Sequence, residues 1–477
     1  MPQSEWIQPG SYQAEAHFYP RVLNAQLHPL VKHFLGLGNE RIAQRYCHLH
    51  PEADAQAVRE LLATPTRILR WAGADLIHAT TPKGVRRNVV IEVNSSPSGQ
   101  KSMPLQVEED ERGGYAKLLE RSFLPMLKRR GIPKGALAVL WDKNEMETRG
   151  YAAILADLTQ EPVLLAHLPA SEGPECVQVD DGVLSVQDPD GAWTPLRGAF
   201  RYVTQRPWTR LPPITRTALL NPVLGCLAGG RNKALAAQAY HRANLRRSNQ
   251  GLVIRVPETF RNVHLHSVPG LIADLGGVGV VKDPYSNAGQ GVWTVTSPQE
   301  LEAFMAFPHR YQRFIVQALV GNSEWSSTGR EGRFYHLGTV PNRKGEIFAA
   351  DLRFMIGASP EGFFPVSLYA RRARAPLAPT LDQGTDSWDM LGTNLSVKQA
   401  DGSFTTEPER LMLMDRRDFN ALGLGLDDLT EGYIQTILAV TAIDELAREL
   451  LTQKGVFRNR HFASMNPDPA LNAEIRL

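Results

Sequence analysis

Alternating apolar and polar positions predict a strand hairpin early in the chain. An apolar run at 89–91 is followed by Glu92 and Asn94, which are separated by a single apolar residue. Because successive side chains of a strand point to opposite faces, both polar residues are expected on the same face. Asp75 lies in an upstream apolar run, and we expect it on the neighbouring strand, with the hairpin turn at 80–88.

The remaining pattern predicts a mixture of helices and strands. Residues 11–70 are predicted to be mostly helical, and apolar residues at helical spacing predict another helix over 115–130. A buried strand at 136–141, a helix at 147–158 and a strand at 163–166 then follow one another. A strand–helix–strand unit is typical of an open α/β domain with parallel strands.

Two polar residues on one strand face indicate a candidate metal site. A carboxylate and an amide oxygen are the kind of hard ligands that Mg²⁺ prefers, so Glu92 and Asn94 are candidate ligands. Asp75 is a candidate for a second carboxylate from the neighbouring strand. The alternative is an exposed strand face with unrelated polar residues. The apolar run before Glu92 favours a buried strand, in which a carboxylate needs a partner.

A lysine followed by a loop of small residues indicates a candidate phosphate site. Lys282 ends a short apolar strand, and Gly289 and Gly291 follow before the next strand begins at Val292. Glycine reaches positive φ at little cost, so the amides of this loop can face an anion while lysine supplies a compact charge. The alternative interpretation is a glycine-rich hairpin turn with an unrelated lysine.

These two segments carry a resemblance to a known family. Lys282 with its glycine loop, and the segment Glu92-Val93-Asn94-Ser95-Ser96-Pro97, resemble the ATP-grasp superfamily of carboxylate–amine ligases. In most members the metal strand follows the lysine loop, whereas here it comes first. This order resembles the circularly permuted branch that includes glutathionylspermidine synthetase. The resemblance implies an α+β fold with two lobes around an ATP cleft and an interposed small α/β domain.

The resemblance also implies a division of the chain into four parts. The metal hairpin would belong to a permuted part of the large lobe, and the α/β domain would separate it from the nucleotide-binding lobes. The expected parts are the permuted segment of the large lobe at 1–108, the α/β domain at 109–215, the small lobe at 216–310 and the rest of the large lobe at 311–477.

Further segments resemble the nucleotide-binding parts of the family. Residues 226–236 resemble the segment with its first nucleotide-binding lysine, at a predicted helix start where an anion is favoured; a solvated lysine is the alternative. Residues 314–320 resemble the hinge whose backbone pairs with adenine, although a plain buried strand explains them equally well. The implied nucleotide-binding residues are Lys233, Lys282, Ser286, Gly289, Gln290, Gly291, Gln317, Ala318 and Leu319.

Arginines in the last third of the chain complete the resemblance. Asp351-Leu352-Arg353 is similar to an Asp-x-Arg strand of the large lobe, with both charged residues on one face. The resemblance implies that Arg353, Arg371 and Arg372 are catalytic. Arg371, Arg372 and Arg374 would share the task of neutralising a growing acyl phosphate, and the alternative is that one or two of these three face solvent. Related glutamate ligases have an Arg-x-Asn-Leu segment, but this chain has Thr393 at the arginine position, so the role of that segment stays open.

The function implied by the resemblance is an ATP-dependent ligase that forms an amide or peptide bond and releases ADP and phosphate. ATP and Mg²⁺ are the expected cofactors, and small-molecule acids and amines are the expected substrates, with amino acids, short peptides or polyamines considered first. The family makes peptide-like conjugates and modified natural products. The alternative is an ATP-binding protein or phosphotransferase of the same fold without ligase activity. The candidate metal ligands favour the enzyme.

Composition agrees with such an enzyme and excludes other classes. A chain of 477 residues is too long for one core, and a net charge of +2 gives no indication of a nucleic-acid partner. Cys47, Cys176 and Cys226 lack paired spacing, which favours a reducing, cytoplasmic location over a disulfide framework. No apolar run reaches the length of a membrane span, so no membrane is expected. A homodimer is left open.

Overall fold

The computed structural model describes residues 4–169, 177–205, 210–286, 291–330, 332–381, 386–398 and 404–474. These residues form an α+β protein with a seven-stranded, a four-stranded, a six-stranded and a two-stranded sheet. None of the described helices has the length and apolar character needed to cross a membrane.

The strands and helices follow one another along the whole chain, as the mixed pattern predicted. The strands are β1 (Ser4–Ile7), β2 (Trp71–Thr80), β3 (Arg86–Ser95), β4 (Ala136–Trp141), β5 (Val163–His167), β6 (Val177–Asp180), β7 (Val183–Gln187), β8 (Trp193–Tyr202), β9 (Ala218–Leu220), β10 (Thr259–His264), β11 (Gly279–Lys282), β12 (Val292–Val295), β13 (Arg313–Gln317), β14 (Tyr335–His336), β15 (Ala350–Ser359), β16 (Gly362–Arg372), β17 (Ser396–Lys398), β18 (Phe404–Thr406) and β19 (Leu411–Met412). The helices are α1 (Ala14–His17), α2 (Pro20–Leu23), α3 (Pro29–Gly36), α4 (Asn39–Leu49), α5 (Ala55–Ala63), α6 (Gly113–Leu118), α7 (Leu124–Leu127), α8 (Glu145–Thr159), α9 (Val223–Gly225), α10 (Lys233–Arg247), α11 (Val268–Asp274), α12 (Pro298–Ala306), α13 (Ser387–Leu391), α14 (Arg416–Leu422), α15 (Leu426–Glu449), α16 (Asn459–Met465) and α17 (Pro469–Ala473).

The seven-stranded sheet contains the predicted α/β unit. Strand β4 runs parallel to β5 and to β8, and α8 connects β4 to β5, so the predicted strand–helix–strand unit is confirmed. Strand β1 pairs antiparallel with β5, with Ser4 opposite Ala166. The first residues of the chain therefore belong to this sheet, whereas the predicted division had placed them in the large lobe.

The six-stranded sheet brings distant parts of the chain together. Strand β2 pairs with β3 on one side and with β15 on the other. In this register Asp75 lies opposite both Glu92 and Arg353. The hairpin and the 351–353 strand, which the resemblance assigns to the same lobe, therefore share one sheet, while the circular permutation remains an interpretation of the segment order.

Helix α15 packs against one face of this sheet. Its buried residues include Leu429, Tyr433 and Ile437, and Tyr433 packs near the ring of Phe354 in β15 at a centroid distance of 5.7 Å. The side-chain amide of Asn88 in β3 donates to the backbone carbonyl of the helix at residue 428, over 2.9 Å. The long helix thus fixes the strand that carries the polar hairpin residues.

The four-stranded sheet is a smaller unit in the order β10–β13–β11–β12, with all neighbours antiparallel. Its own apolar core includes Val281, Val316 and Phe304, so one face of β11 and β13 is buried against α11 and α12. The alternation of side chains then turns Lys282 and Gln317 toward the six-stranded sheet. The space between the two sheets is the candidate site.

Candidate functional site

A continuous cleft lies between the four-stranded and the six-stranded sheet. A cavity of about 420 Å³ adjoins a second one of about 130 Å³, and Glu92, Lys233 and Lys282 line both. The structure thus brings most of the predicted site residues to one wall or the other. The predicted residues that line the cleft are Asp75, Glu92, Asn94, Lys233, Lys282, Ser286, Gln317, Ala318, Leu319 and Arg371.

Lys282 is the buried cation at the end of β11. It is only 5% exposed, and its ammonium donates to Oε1 of Gln317 over 2.7 Å. Gln317 is held in turn, because its amide donates to Thr259 over 2.9 Å. Burial lowers the pKa of Lys282 to about 8, with Glu92 opposing the shift and Lys233 adding to it. The lysine is therefore poorly solvated, and a bound anion would stabilise its charged form.

Lys233 is the first residue of α10 and lies beside the segment that follows Lys282, since its backbone N–H donates to the carbonyl of Pro284 over 2.9 Å. The side chain of Asn232 caps the helix by accepting from the backbone N–H of Leu235 over 3.2 Å. The ammonium of Lys233 donates to the hydroxyl of Ser286 over 2.9 Å and lies 3.9 Å from Glu92. Burial lowers its pKa, and Glu92 opposes the shift.

The predicted glycine loop is described at its two ends. Ser286 lies at one end and contacts Lys233. Gly291 lies at the other end with a φ of +64°, and its carbonyl accepts from the N–H of Asp283 over 2.7 Å. The other predicted loop residues, Gly289 and Gln290, lie outside the described residues.

The polar face of β3 is shaped by a β-bulge. Asp75 pairs with Glu92, but Leu76 pairs with Val90, so Ile91 is the extra residue. Bulges re-aim side chains and are frequent beside active sites. Glu92 and Asn94 face the same cavity, and the amide of Asn94 donates to Oε1 of Glu92 over 3.2 Å.

Asp75 is engaged by two arginines. Its two carboxylate oxygens accept from Nε and Nη2 of Arg353 over 2.6 and 2.7 Å, and Nη2 of Arg371 lies 3.0 Å from Oδ2. Arg371 also forms a bidentate pair with Asp351. Burial alone would raise the pKa of Asp75, but Arg353 and Arg371 outweigh it and lower the pKa. Burial raises the pKa of Asp351 despite Arg371.

The three predicted catalytic arginines occupy different places. Arg371 lines the cleft together with Asp351 and Asn394. Arg353 is bound to Asp75, and it is not among the described residues that line the cleft. Arg372 instead packs over the ring of Phe348 at 4.7 Å. Since neighbours in a strand face opposite ways, the structure places Arg372 away from the site that was predicted for it.

The predicted hinge lines the cleft, but part of its backbone is already paired. The N–H of Ala318 donates to the carbonyl of Glu258 over 2.8 Å, and the N–H of Leu319 donates to the hydroxyl of Ser327 over 2.7 Å. Gln317 contributes its side chain to Lys282.

Arg231 is a site residue that the sequence prediction missed. Its Nη1 donates to Oδ1 of Asn94 over 2.7 Å, and its Nη2 donates to the carbonyl of Ser95 over 2.8 Å. The available signal was its position directly between two glycines and the Asn232-Lys233 pair. A guanidinium there fixes the amide oxygen of a candidate metal ligand.

The oxygen atoms of Glu92 and Asn94 fit a cation whose remaining ligands are water and substrate phosphates. Among the described residues there is no group of three or more His, Cys, Asp or Glu side chains arranged to hold a metal ion. Mg²⁺ commonly uses one or two carboxylates and completes its shell with water and substrate phosphates. Glu92, with its side chain 33% exposed, meets this requirement, and Asn94 offers the remaining lone pair of an amide oxygen that already accepts from Arg231. Asp75 meets it less well, because its oxygens are occupied by arginines.

Comparisons with known proteins give weak likenesses. No protein-family model and no curated protein matches the chain. A RimK-domain ATP-grasp protein of Sphaerobacter thermophilus is 15% identical over 49% of this chain and 90% of its own, with a TM-score of 0.28. A glutathione synthetase-like effector of Globodera pallida is 8% identical over 78% and 87%, with a TM-score of 0.38. The ATP-grasp ligase PsnB is 13% identical over 52% and 92%, with a TM-score of 0.27. All three identities and TM-scores are low, so the functional proposal rests on the geometry of the cleft.

Proposed function

We propose that the protein is an ATP-dependent ligase that joins a carboxylate to an amine in an amide or peptide bond. The observation that carries this proposal is the convergence of Lys233, Lys282 and Glu92 on one cleft, with Arg371 on its far wall. We assign the small lobe to 216–310 and the large lobe to 311–477 together with the hairpin of β2 and β3.

The chemistry requires an activated acid. A carboxylate oxygen attacks the γ-phosphorus of ATP, the bond from that phosphorus to the bridging oxygen breaks, and ADP leaves with the bonding electrons. The amine then attacks the acyl carbon, phosphate leaves, and the amine loses a proton. Phosphoryl transfer of this kind depends on positioning and charge neutralisation more than on covalent help from the protein.

The two lysines are assigned to the phosphates of ATP. They approach from neighbouring elements, Lys282 from β11 and Lys233 from the first turn of α10, where the helix dipole also favours an anion. Because both ammonium groups are desolvated, a phosphate oxygen would replace lost hydration with charge-assisted hydrogen bonds. The hinge at 317–319 would meet adenine mainly through its carbonyl oxygens, since two of its N–H groups are already engaged.

Glu92 and Asn94 are assigned to Mg²⁺. When bound, Mg²⁺ neutralises phosphate charge in the transition state. Arg231 holds the amide of Asn94 with its oxygen oriented, and the bulge at Ile91 brings Glu92 beside it. Asp75 would serve as a third ligand only after Arg371 has released Oδ2 of the Asp75 carboxylate.

Arg371 is assigned to the transferred phosphoryl group or the acyl phosphate. It is 5% exposed and lines the cleft, and its charge is held in place by Asp351 and Asp75. Arg353 acts on this arrangement through Asp75 and is a positioning residue. Arg372 has no part in the proposal, because it packs on Phe348.

The substrates are assigned only by class. A small-molecule acid and a small-molecule amine are required, and amino acids, short peptides and polyamines are the first to try. The second candidate function is an ATP-binding protein or phosphotransferase. Two oxygen ligands held beside two lysines favour catalysis over simple binding, since binding alone needs no such pair.

An ADP-release screen tests the proposal. The purified protein, ATP and Mg²⁺ are incubated with amino acids, short peptides and polyamines singly and in pairs, and each hit is analysed by mass spectrometry. A ligase releases ADP only with both acid and amine and gives a product heavier than the acid by the amine minus water. ADP release with a phosphorylated product and no amine requirement would instead show a phosphotransferase. Nucleotide binding without any turnover would support the non-catalytic alternative.

A further inference from the structure

A lysine at the edge of the seven-stranded sheet has no role in the proposed chemistry so far. Lys143 follows two residues after the end of β4, at the carboxyl end of a strand that is parallel to both of its neighbours. Crevices at the carboxyl ends of parallel strands are the usual place for ligands in open α/β sheets. Lys143 therefore lies where a ligand of this sheet is expected.

The acidic neighbour of Lys143 is committed elsewhere. One oxygen of Asp142 accepts from the backbone N–H groups of Thr204 and Gln205 over 2.7 and 2.6 Å and from Nη2 of Arg210 over 2.9 Å. Within the described part of the chain, Lys143 itself makes no hydrogen bond and no ion pair. Its side chain is partly buried, so a charged ammonium lies there without a matching carboxylate.

Three cations act on Lys143. Arg231, Arg353 and Lys101 all act on it electrostatically, and together with burial, the largest effect, they lower its pKa to about 8 against the opposing effect of Asp142. The ammonium of Lys101 donates to the side-chain carbonyl of Asn144, which is neutral. Excess positive charge in a poorly solvated place is costly, and an incoming anion relieves that cost.

The position of Lys101 is fixed before any ligand arrives. The buried carboxylate of Glu147 accepts from the backbone N–H groups of Gly99 and Lys101 over 2.7 and 3.2 Å and from the hydroxyl of Ser98 over 2.9 Å. All of these bonds come from the loop that follows β3. Glu147 therefore anchors this loop, and its own charge is already satisfied by donors other than the two lysine ammonium groups.

We propose that Lys143 and Lys101, together with Arg231, bind the carboxylate of the acid substrate. Arg231 lines the cleft and bonds to Asn94, so an acid held by these cations would lie beside the proposed magnesium ligands. Lys233 and Lys282 hold the nucleotide phosphates from the other side. This assignment rests on the proposed ligase function, and it names the α/β sheet as the side from which the acid enters.

Chemical protection tests the assignment without a known substrate. The wild-type protein is treated with N-hydroxysuccinimide acetate, and acetylation of Lys143 is followed by peptide mass spectrometry. The probes are succinate, glutarate and a set of N-acetylated amino acids, none of which consumes the reagent. Lys117, whose pKa burial also lowers to about 8 and whose ammonium lies over the ring of Phe364 at 5.9 Å, is the internal control outside the proposed site. The same titrations are made with the Lys101→Met and Lys101→Arg variants.

We expect at least one acid to protect Lys143 and not Lys117. Lys101→Met should weaken that protection roughly tenfold, equal to about 1.4 kcal/mol, and Lys101→Arg should retain it. Equal protection of both lysines, or no protection by any acid, would overturn the proposal. Protection by a magnesium complex of a non-hydrolysable ATP analogue alone would place Lys143 in the phosphate site instead. If calorimetry shows no binding of that analogue while acids still protect Lys143, the ligase function fails and the anion site stands.

Discussion

Arg353 binds both carboxylate oxygens of Asp75, over 2.6 and 2.7 Å, across a sequence separation of 278 residues. The pair joins β15 to β2 and is shared with Arg371, so two arginines and two aspartates form one buried network in the wall of the cleft. A network of this kind stabilises the sheet only while it is complete, because removal of one partner leaves a buried charge unpaired.

The first prediction concerns the role of Asp75 in this network. Asp75→Asn should lower the free energy of unfolding by about 3–5 kcal/mol, because Arg353 and Arg371 lose a buried anion. Glu92→Gln, on the more exposed side of the same strand pair, should change it by less than about 1 kcal/mol. Urea unfolding followed by circular dichroism measures both. Equal stability of the two variants would mean that Asp75 is not a structural partner of the arginines.

Glu92 and Asn94 give the second prediction. The double variant Glu92→Gln, Asn94→Ala should lose magnesium-dependent turnover while keeping the circular dichroism spectrum of the wild type. The reason is that both candidate oxygen ligands on the cleft face of β3 are altered. Binding of Mn²⁺ in the presence of an ATP analogue, followed by electron paramagnetic resonance, provides a readout besides activity. Wild-type turnover in the double variant would remove the metal assignment.

Adjacent arginines provide a matched pair for the third prediction. Arg371→Lys should reduce turnover about 100-fold or more, since a lysine cannot reproduce a bidentate guanidinium that faces the cleft. Arg372→Lys should leave turnover nearly unchanged and cost about 0.5–1 kcal/mol of stability through the lost contact with Phe348. Steady-state kinetics and thermal unfolding separate the two effects. Similar loss of turnover in both variants would contradict the assignment of the two faces.

How far the sequence predicts this site can be judged from the same residues. Glu92 and Asn94 were placed on one face by strand alternation, and Lys282 by its strand and loop, because these signals are local. The partners of Asp75 were beyond such reasoning, since Arg353 and Arg371 reach it only through a register set by the whole sheet. Alternation also shows that neighbours such as Arg371 and Arg372 face opposite ways, but not which of them faces the cleft.

Other differences between the sequence-based predictions and the structure also arise from pairing between distant parts of the chain. The extra residue Ile91 shifts the pairing between β2 and β3, and nothing in an apolar run identifies which residue will bulge. Strand β1 joins the seven-stranded sheet through pairing with β5, which is far along the chain. Arg231 was missed because a lone arginine beside glycines has no characteristic pattern. Long-range pairing, and not local propensity, decides each of these cases.

The fourth prediction uses the pKa of Lys282. Burial lowers this pKa to about 8, so the free protein carries a charged ammonium below that pH and loses it above. Affinity for an ATP analogue should therefore fall as pH rises through about 8. Lys282→Arg should flatten the dependence because arginine stays charged, and Lys282→Ala should weaken binding by roughly 1.5–3 kcal/mol at neutral pH. Calorimetry over a pH series makes the measurement; a wild-type affinity for Lys282→Ala would exclude the lysine from the site.

The last prediction concerns the end of the glycine loop. Gly291 has a φ of +64°, and a Cβ there would come within 2.2 Å of Oδ2 and 2.7 Å of the carboxylate carbon of Asp283, the residue after Lys282. Gly291→Ala would therefore displace Asp283 and, through the chain, Lys282. Gly345, with a φ of +77° and open space at the Cβ position, is the matched control in an exposed turn.

Gly345→Ala should lose about 1–2 kcal/mol of stability, because it places an L-residue in the left-handed region, and Gly291→Ala should lose at least as much because its methyl group also meets Asp283. Only Gly291→Ala should also weaken binding of an ATP analogue and slow ADP release, since only there does the new methyl group meet the residue next to the phosphate lysine. Thermal unfolding, calorimetry and the ADP assay are compared for the two variants. If Gly291→Ala binds and turns over like Gly345→Ala, the loop end does not position Lys282, and the phosphate site must rest on Lys233 and the remaining loop.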